Sequence, residues 1–156
     1  MIENLIIPEP YITISDHEVH DIIKKYSEEY LGYMTDIITK ISTGTYTVDM
    51  PSKKVFTDGN GGDFRVMPCV FKNEADIFKT VKVVGTNVTN KVVKNQICVG
   101  KAFVLHSDDN YITHIVDACI LSAIRTAAFA IFCTKLASVS SIVISVDSTN
   151  LLIANI

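Results

Sequence analysis

The run ACILSAIRTAAFAIFCTKLA, residues 118–137, limits what this chain can fold into more than any other stretch. Ile120, Leu121, Ile124, Ala127, Ala128, Ile131 and Phe132 recur at spacings that cover most of a helix surface. A helix that is apolar all round belongs in an interior. The run is long enough to span a bilayer, yet Ser122, Arg125 and Thr126 sit near its middle. A central arginine costs about 2.5 kcal/mol or more in lipid. The expectation is therefore a buried helix and no membrane. Asp117 stands where the helix would be capped. A packed Arg125 needs an anion. An internal carboxylate, Asp117 or Asp63, is one candidate. A ligand carboxylate or phosphate, which suits the planar arginine fork, is the other.

A buried helix needs something to pack against, and the preceding residues supply strands. TYTVDMP and KKVFTD lead into Asp58-Gly59-Asn60-Gly61-Gly62, which holds two hairpin dipeptides. This GNGG lies between strands, with no helix or Lys-Ser/Thr to follow, so it reads as a turn rather than a phosphate loop. DFRVMPCVF, FKTVKVVGT and QICVGKAFVLHS follow, then a turn at Asp108-Asp109-Asn110 and YITHIVD. Lys82 lies in the valine-rich FKTVKVVGT run and shares a face with Thr80 and Val84 by alternation. Read from the residues alone, it is an exposed strand lysine; the alternative is an ammonium at the mouth of a barrel.

Ahead of the strands, Ser15 and Glu18 form a capping box. Apolar residues then recur at helical spacing from Val19 to Ile41, with a break expected at Gly32. The order of helix, antiparallel strands and long buried helix is an α+β pattern. At 156 residues the chain reads as mainly one domain. A mean hydropathy of +0.30 is high for that size and points to a subunit interface. The net charge of −3 argues against nucleic acid as a partner. MIENLIIPEP lacks the features of a signal peptide, and Cys69, Cys98, Cys119 and Cys133 are scattered. Both fit a cytoplasmic protein with reduced thiols, in which the glycosylation pattern at Asn87 means nothing. His17 and His20 are three apart rather than four, which suits a solvated helical turn better than zinc. His106 and His114 flank the Asp108 turn and are weak evidence for a metal. No metal is expected.

The last sixteen residues, 141–156, read as a short buried strand, Ser141 to Asp147, followed by the start of a helix from Ser148. A strand that turns directly into a helix is where dinucleotide-binding folds hold a pyrophosphate, but this turn has no glycine.

ISDHEVHDII, GDFRVMPCVF, VKVVGTNVTN and VDACILSAIRTAAFAIFCTKLA, in that order, resemble the N-terminal half of the ornithine cyclodeaminase/μ-crystallin family. The resemblance implies a substrate-binding and dimerisation domain over residues 1–140, with 141–156 a remnant of the first Rossmann strand and helix start. It implies an antiparallel sheet, or half-barrel, completed by a second subunit. Family members use NAD or NADP on amino and imino acids, or bind ligands without turnover. By position, Lys82 resembles the lysine at the substrate carboxylate and Arg125 the arginine that holds that carboxylate. Thr126 resembles a neighbour of the cofactor phosphates. A further substrate arginine falls at Lys53 or Lys54, where the charge stays and the fork is lost. Arg65 stands where the cyclodeaminases have an acidic residue.

Asp147, Ser148, Thr149 and Asn150 fill the place of the glycine loop, so no cofactor is expected to bind. These departures lead to an inactive homodimer that binds a small ligand or another protein, in the manner of trimmed, repurposed viral folds. The alternative is the substrate half of a split NAD(P)-dependent enzyme of cyclodeaminase, alanine dehydrogenase or ketimine reductase type. A fragment without function of its own is the third possibility. The dimer contacts are expected between Val81 and Val116, at Val83, Val99, Ala102, Val104, Ile112 and Ile115.

Overall fold

The computed structural model describes residues 10–57, 59, 61–86, 98–136, 141–146 and 150–155. A short strand β1 (Ile12–Ile14) leads into helices α1 (Asp16–Lys25) and α2 (Ser27–Ser42). Strands β2 (Thr47–Asp49), β3 (Lys54–Thr57), β4 (Asp63–Lys72), β5 (Ile77–Thr86), β6 (Cys98–Leu105) and β7 (Ile112–Asp117) follow. Helix α3 (Cys119–Leu136) comes next, then β8 (Ser141–Val146) and β9 (Asn150–Asn155). The fold is α+β, as the sequence pattern implies. Seven strands make one open sheet in the order β1-β7-β6-β5-β4-β2, with β3 also on β4. All its pairs are antiparallel except β1 on β7, which is parallel.

Several local signals act as expected. Ser15 and Glu18 form the reciprocal capping box of α1. The turn between β3 and β4 uses Gly59 and Gly61 at φ of 81° and 84°, a region open to glycine at little cost. The helical break differs: it falls at Tyr26, whose φ of −123° leaves the helical region, and not at Gly32. Gly32 lies inside α2, where a side chain would meet open space. Glycine in a helix costs only about 1 kcal/mol, too little to force a break.

The end of the chain also differs. Residues 150–155 form a strand that pairs antiparallel with β8, Ile144 opposite Leu152. The helix start expected from Ser148 is absent from these residues. The apolar run Leu151-Leu152-Ile153 suits a strand as well as a helix, and pairing with β8 decides between them. Residues 147–149 lie outside the described ones, as does the Asn87 pattern.

Helix α3 is half-buried rather than buried all round. Ala127, Ala128, Ile131 and Thr134 are buried. Arg125, Thr126, Phe129 and Cys133 form an exposed stripe, with Phe129 47% exposed. Helices α1 and α2 pack on α3 and on each other, and α1 also meets β7. Among the described residues no helix is long and apolar enough to cross a membrane.

The two sides of the sheet have different neighbours. Lys82 Nζ reaches Ser122 Oγ of α3, so Lys82, Val84, Gly100 and Ala102 look toward the helices. Gly100 is required there: a Cβ would stand 2.8 Å from the Val83 carbonyl oxygen and 3.0 Å from Val84 Cγ2. Gly100→Ala is expected to cost about 1–3 kcal/mol, read as a lower urea midpoint at unchanged m value. The other side carries Val66 and Pro68, Val81 and Val83, Phe103 and Ile115, all part-exposed, and with them Lys54, Lys79 and Lys101. Val99 and Ile112 share this open side, whereas Ala102 and Val104 belong to the helix side. Those two are therefore misplaced among the expected dimer contacts.

Candidate functional site

Strand β5 presents Lys82 between Met67 of β4 and Ala102 of β6. Its ammonium lies 3.2 Å from Ser122 Oγ in a half-buried setting. It is thus not the free, exposed strand lysine that alternation alone suggests. Arg125 follows Ser122 by three residues on α3, the spacing that puts two side chains on one helix face. Ser122 therefore touches Lys82 and stands one helical turn before Arg125.

The two internal carboxylates considered for Arg125 have other partners. Asp63 Oδ2 pairs with Arg65 at 2.8 Å, and the guanidinium holds the Asp63 carboxyl below the usual carboxylate range. Asp117 Oδ1 pairs with Lys101, and its Oδ2 accepts from the Asp16 backbone N–H. Arg125 is exposed, and no ion pair with a described carboxylate holds it. Tyr30 of α2 lies within its electrostatic reach. Burial pushes the Tyr30 phenol up, and the Arg125 charge pulls against it. Tyr30 falls in the helical run from Val19 to Ile41, whose spacing marks it only as an apolar position.

The remaining expected residues are less well gathered. Thr126 Oγ1 donates to the Ser122 carbonyl of its own helix at 2.9 Å. Lys54 pairs with Val66, which places it on the open side of the sheet, away from Lys82. Lys53 precedes β3, is exposed, and adds its positive charge to the surroundings of Asp63. Lys82 thus meets α3 at Ser122, one turn before Arg125, and Lys54 lies on the other side of the sheet.

Helix α3 is anchored by a contact that the sequence gives no sign of. Asp16 Oδ1 accepts from the Ile120 N–H in the first turn of α3, at 3.1 Å. Asp117 accepts in return from Asp16 N, at 3.2 Å. Each carboxylate thus serves the start of the other's helix, where unpaired N–H groups and the helix dipole favour negative charge. Asp117, directly before α3, thus serves the start of α1 as well as its own junction, and Asp16 serves the start of α3.

The histidines do not gather a metal. His17 and His20 both lie within ion-pair distance of Asp21 on exposed α1. Among the described residues no group of three His, Cys, Asp or Glu could hold a metal ion. Cys69, Cys119 and Cys133 form no disulfide, and burial pushes the Cys69 thiol up.

Comparison with solved structures shows the same fold at low identity. An archaeal alanine dehydrogenase dimer with bound NAD matches with a TM-score of 0.62 at 18% identity, over 76% of this chain and 34% of that one. A Thermococcus litoralis Δ1-pyrroline-2-carboxylate reductase, in complex with NADH and L-proline, matches at 0.66 and 17%, over 80% and 37%. A lysine cyclodeaminase, studied for its recognition of L-lysine and L-ornithine, matches at 0.61 and 17%, over 82% and 38%. The chain thus spans well under half the length of these relatives. No curated protein matches it by sequence. The profile of the ornithine cyclodeaminase/mu-crystallin family matches residues 14–146, most of the chain. The chain belongs to that family.

Proposed function

We propose that this chain is a dimeric ligand-binding module that holds a small carboxylate between Lys82 and Arg125 and performs no turnover of its own. One observation carries the reading: Lys82 Nζ sits on Ser122 Oγ, one helical turn from an exposed Arg125. A half-buried ammonium and a guanidinium fork suit a planar anion. The solved relatives are amino-acid enzymes, which makes an amino or imino acid the natural ligand class.

The lack of turnover is supported by β8 and β9. A pyrophosphate site needs a strand that turns into a helix, so that N–H groups and the helix dipole meet the phosphates. Here β8 is followed by another strand. The dimer is supported by the part-exposed apolar residues on the open side of the sheet, Val81, Val83 and Phe103 among them. A second copy there would cover them, as the two-fold symmetry of most oligomers allows. The same reading puts the chain in the cytoplasm, in keeping with cysteines that are scattered in the sequence.

A second reading is the substrate half of a split enzyme, completed by a separate dinucleotide-binding chain. The exposed stripe of α3, with Phe129 beside Arg125, favours it. Calorimetry separates the two. Titration with L-proline or L-ornithine alone is expected to give heat. Lys82→Met and Arg125→Gln should each weaken it about tenfold or more, ~1.4 kcal/mol. NADH should give none. Micromolar NADH binding by the isolated chain would contradict the proposal, and a dinucleotide-binding protein co-purifying with it would favour the split enzyme.

A further inference from the structure

A cavity of about 510 Å3 opens at one end of the sheet, between the turn after β4 and the turn after β6. Its lining includes Asp76, Phe78, Leu105, His106, Asp108 and His114, none of them part of the Lys82–Arg125 site. Thr113 also lines it. Consecutive strand residues normally face opposite ways. The register shift between Val104 and Leu105 is a bulge that brings both Thr113 and His114 to the cavity.

The hydrogen bonds assign the two imidazoles opposite tautomers. The backbone N–H groups of Asp108 and Asp109 point at His106 Nδ1, at 3.4 and 3.2 Å. An N–H can only donate, so Nδ1 carries the lone pair and the proton sits on Nε2; the Asp109 carboxylate, 3.5 Å from the same nitrogen, is farther than a normal hydrogen bond. Stacking on Tyr111, at 5.0 Å and 11°, holds this ring in place. His114 Nδ1 lies 3.0 Å from Thr113 Oγ1. That hydroxyl spends its proton on the Val104 carbonyl, at 3.1 Å, and can only accept from His114. His114 Nδ1 is therefore protonated and its Nε2 is an open acceptor. Lys79 Nζ donates to Asn110 Oδ1 at 2.6 Å and braces β5 against the second turn.

We propose that this cavity is a second ligand site, built for a primary carboxamide on a small apolar body. The carbonyl accepts from His106 Nε2–H, the amide N–H2 donates to His114 Nε2, and the body lies on Phe78, which shares a side of the sheet with Thr80, Val104 and His114. A carboxylate of the same shape offers acceptors only, and Asp76 and Asp108 repel it. A site whose donor and acceptor are both fixed in advance rejects the wrong partner by leaving its own groups unpaired.

The test uses benzamide and benzoate on the full chain, followed through the imidazole 15N resonances. The expected spectrum shows His106 protonated at Nε2 and His114 at Nδ1. Benzamide should shift both rings and bind about tenfold more tightly than benzoate. His114→Phe should remove that preference with the circular dichroism unchanged. Two rings in the same tautomer, equal binding of benzamide and benzoate, or no benzamide shift would each overturn the site. The first two readouts use the wild-type chain, so a His114→Phe chain that fails to fold leaves the test intact.

Discussion

The unmodified chain is expected to sediment as a dimer, and a chain carrying Val81→Lys as a monomer at the same concentration. Val81 lies between Pro68 of β4 and Phe103 of β6, near the middle of the open side of the sheet. An ammonium at the centre of an apolar contact has no partner and must be stripped of water. The penalty is several kcal/mol, on the order of a hundredfold or more in the dimer constant. Val81→Thr, similar in shape and uncharged, should shift it much less. Val104→Lys does not test the same contact, because Val104 faces the helices with Thr80 and His114. Sedimentation of Val81→Lys as a dimer would remove the open side from the interface.

Asp117→Ala is expected to lower stability by about 2–3 kcal/mol, a fall of roughly 4–10 °C in the midpoint of melting. Asp117 joins three elements. It pairs with Lys101 of β6, accepts from the first N–H of α1, and ends β7 directly before α3. Its removal leaves that N–H without its carboxylate, a cost of about 1 kcal/mol for a lost cap. Asp16→Ala should cost less, since it removes one bond to Ile120 N. The double variant should fall short of the sum by about 0.5 kcal/mol or more, because the residues share one network. Additive losses would show that the two caps act independently. A melting point unchanged by Asp117→Ala would show that the junction does not hold α3.

The parts of the fold that could be read in advance are those fixed by neighbours in the chain. Ser15 and Glu18 reach each other across one turn, and the glycines at 59 and 61 carry their own conformational preference. Strands β2 to β7 follow from runs of alternating, β-branched residues. The parts that could not be read depend on distant residues. Asp16 and Asp117 are 101 positions apart, and neither carries a local sign of the other. Strand β1 is three residues long, and only its parallel partner β7 defines it. Helix α3 looked buried on all sides because its residues are apolar or small. How much of that surface is covered depends on what packs there, and Phe129 shows that one stripe is bare. For Lys82, the strand pattern gives only the face; the nearness of Ser122 comes from how α3 crosses the sheet. The break at Tyr26 had one overlooked sign, the Ser27-Glu28-Glu29 run, which suits the first turn of a new helix.

A crystal structure of the chain with bound L-proline tests the central claim most directly. The account predicts a dimer with the ligand carboxylate within hydrogen-bond distance of Lys82 Nζ and of the Arg125 guanidinium, and with Ser122 beside it. A ligand bound elsewhere, or Arg125 turned away from Lys82 while the ligand is present, would contradict it.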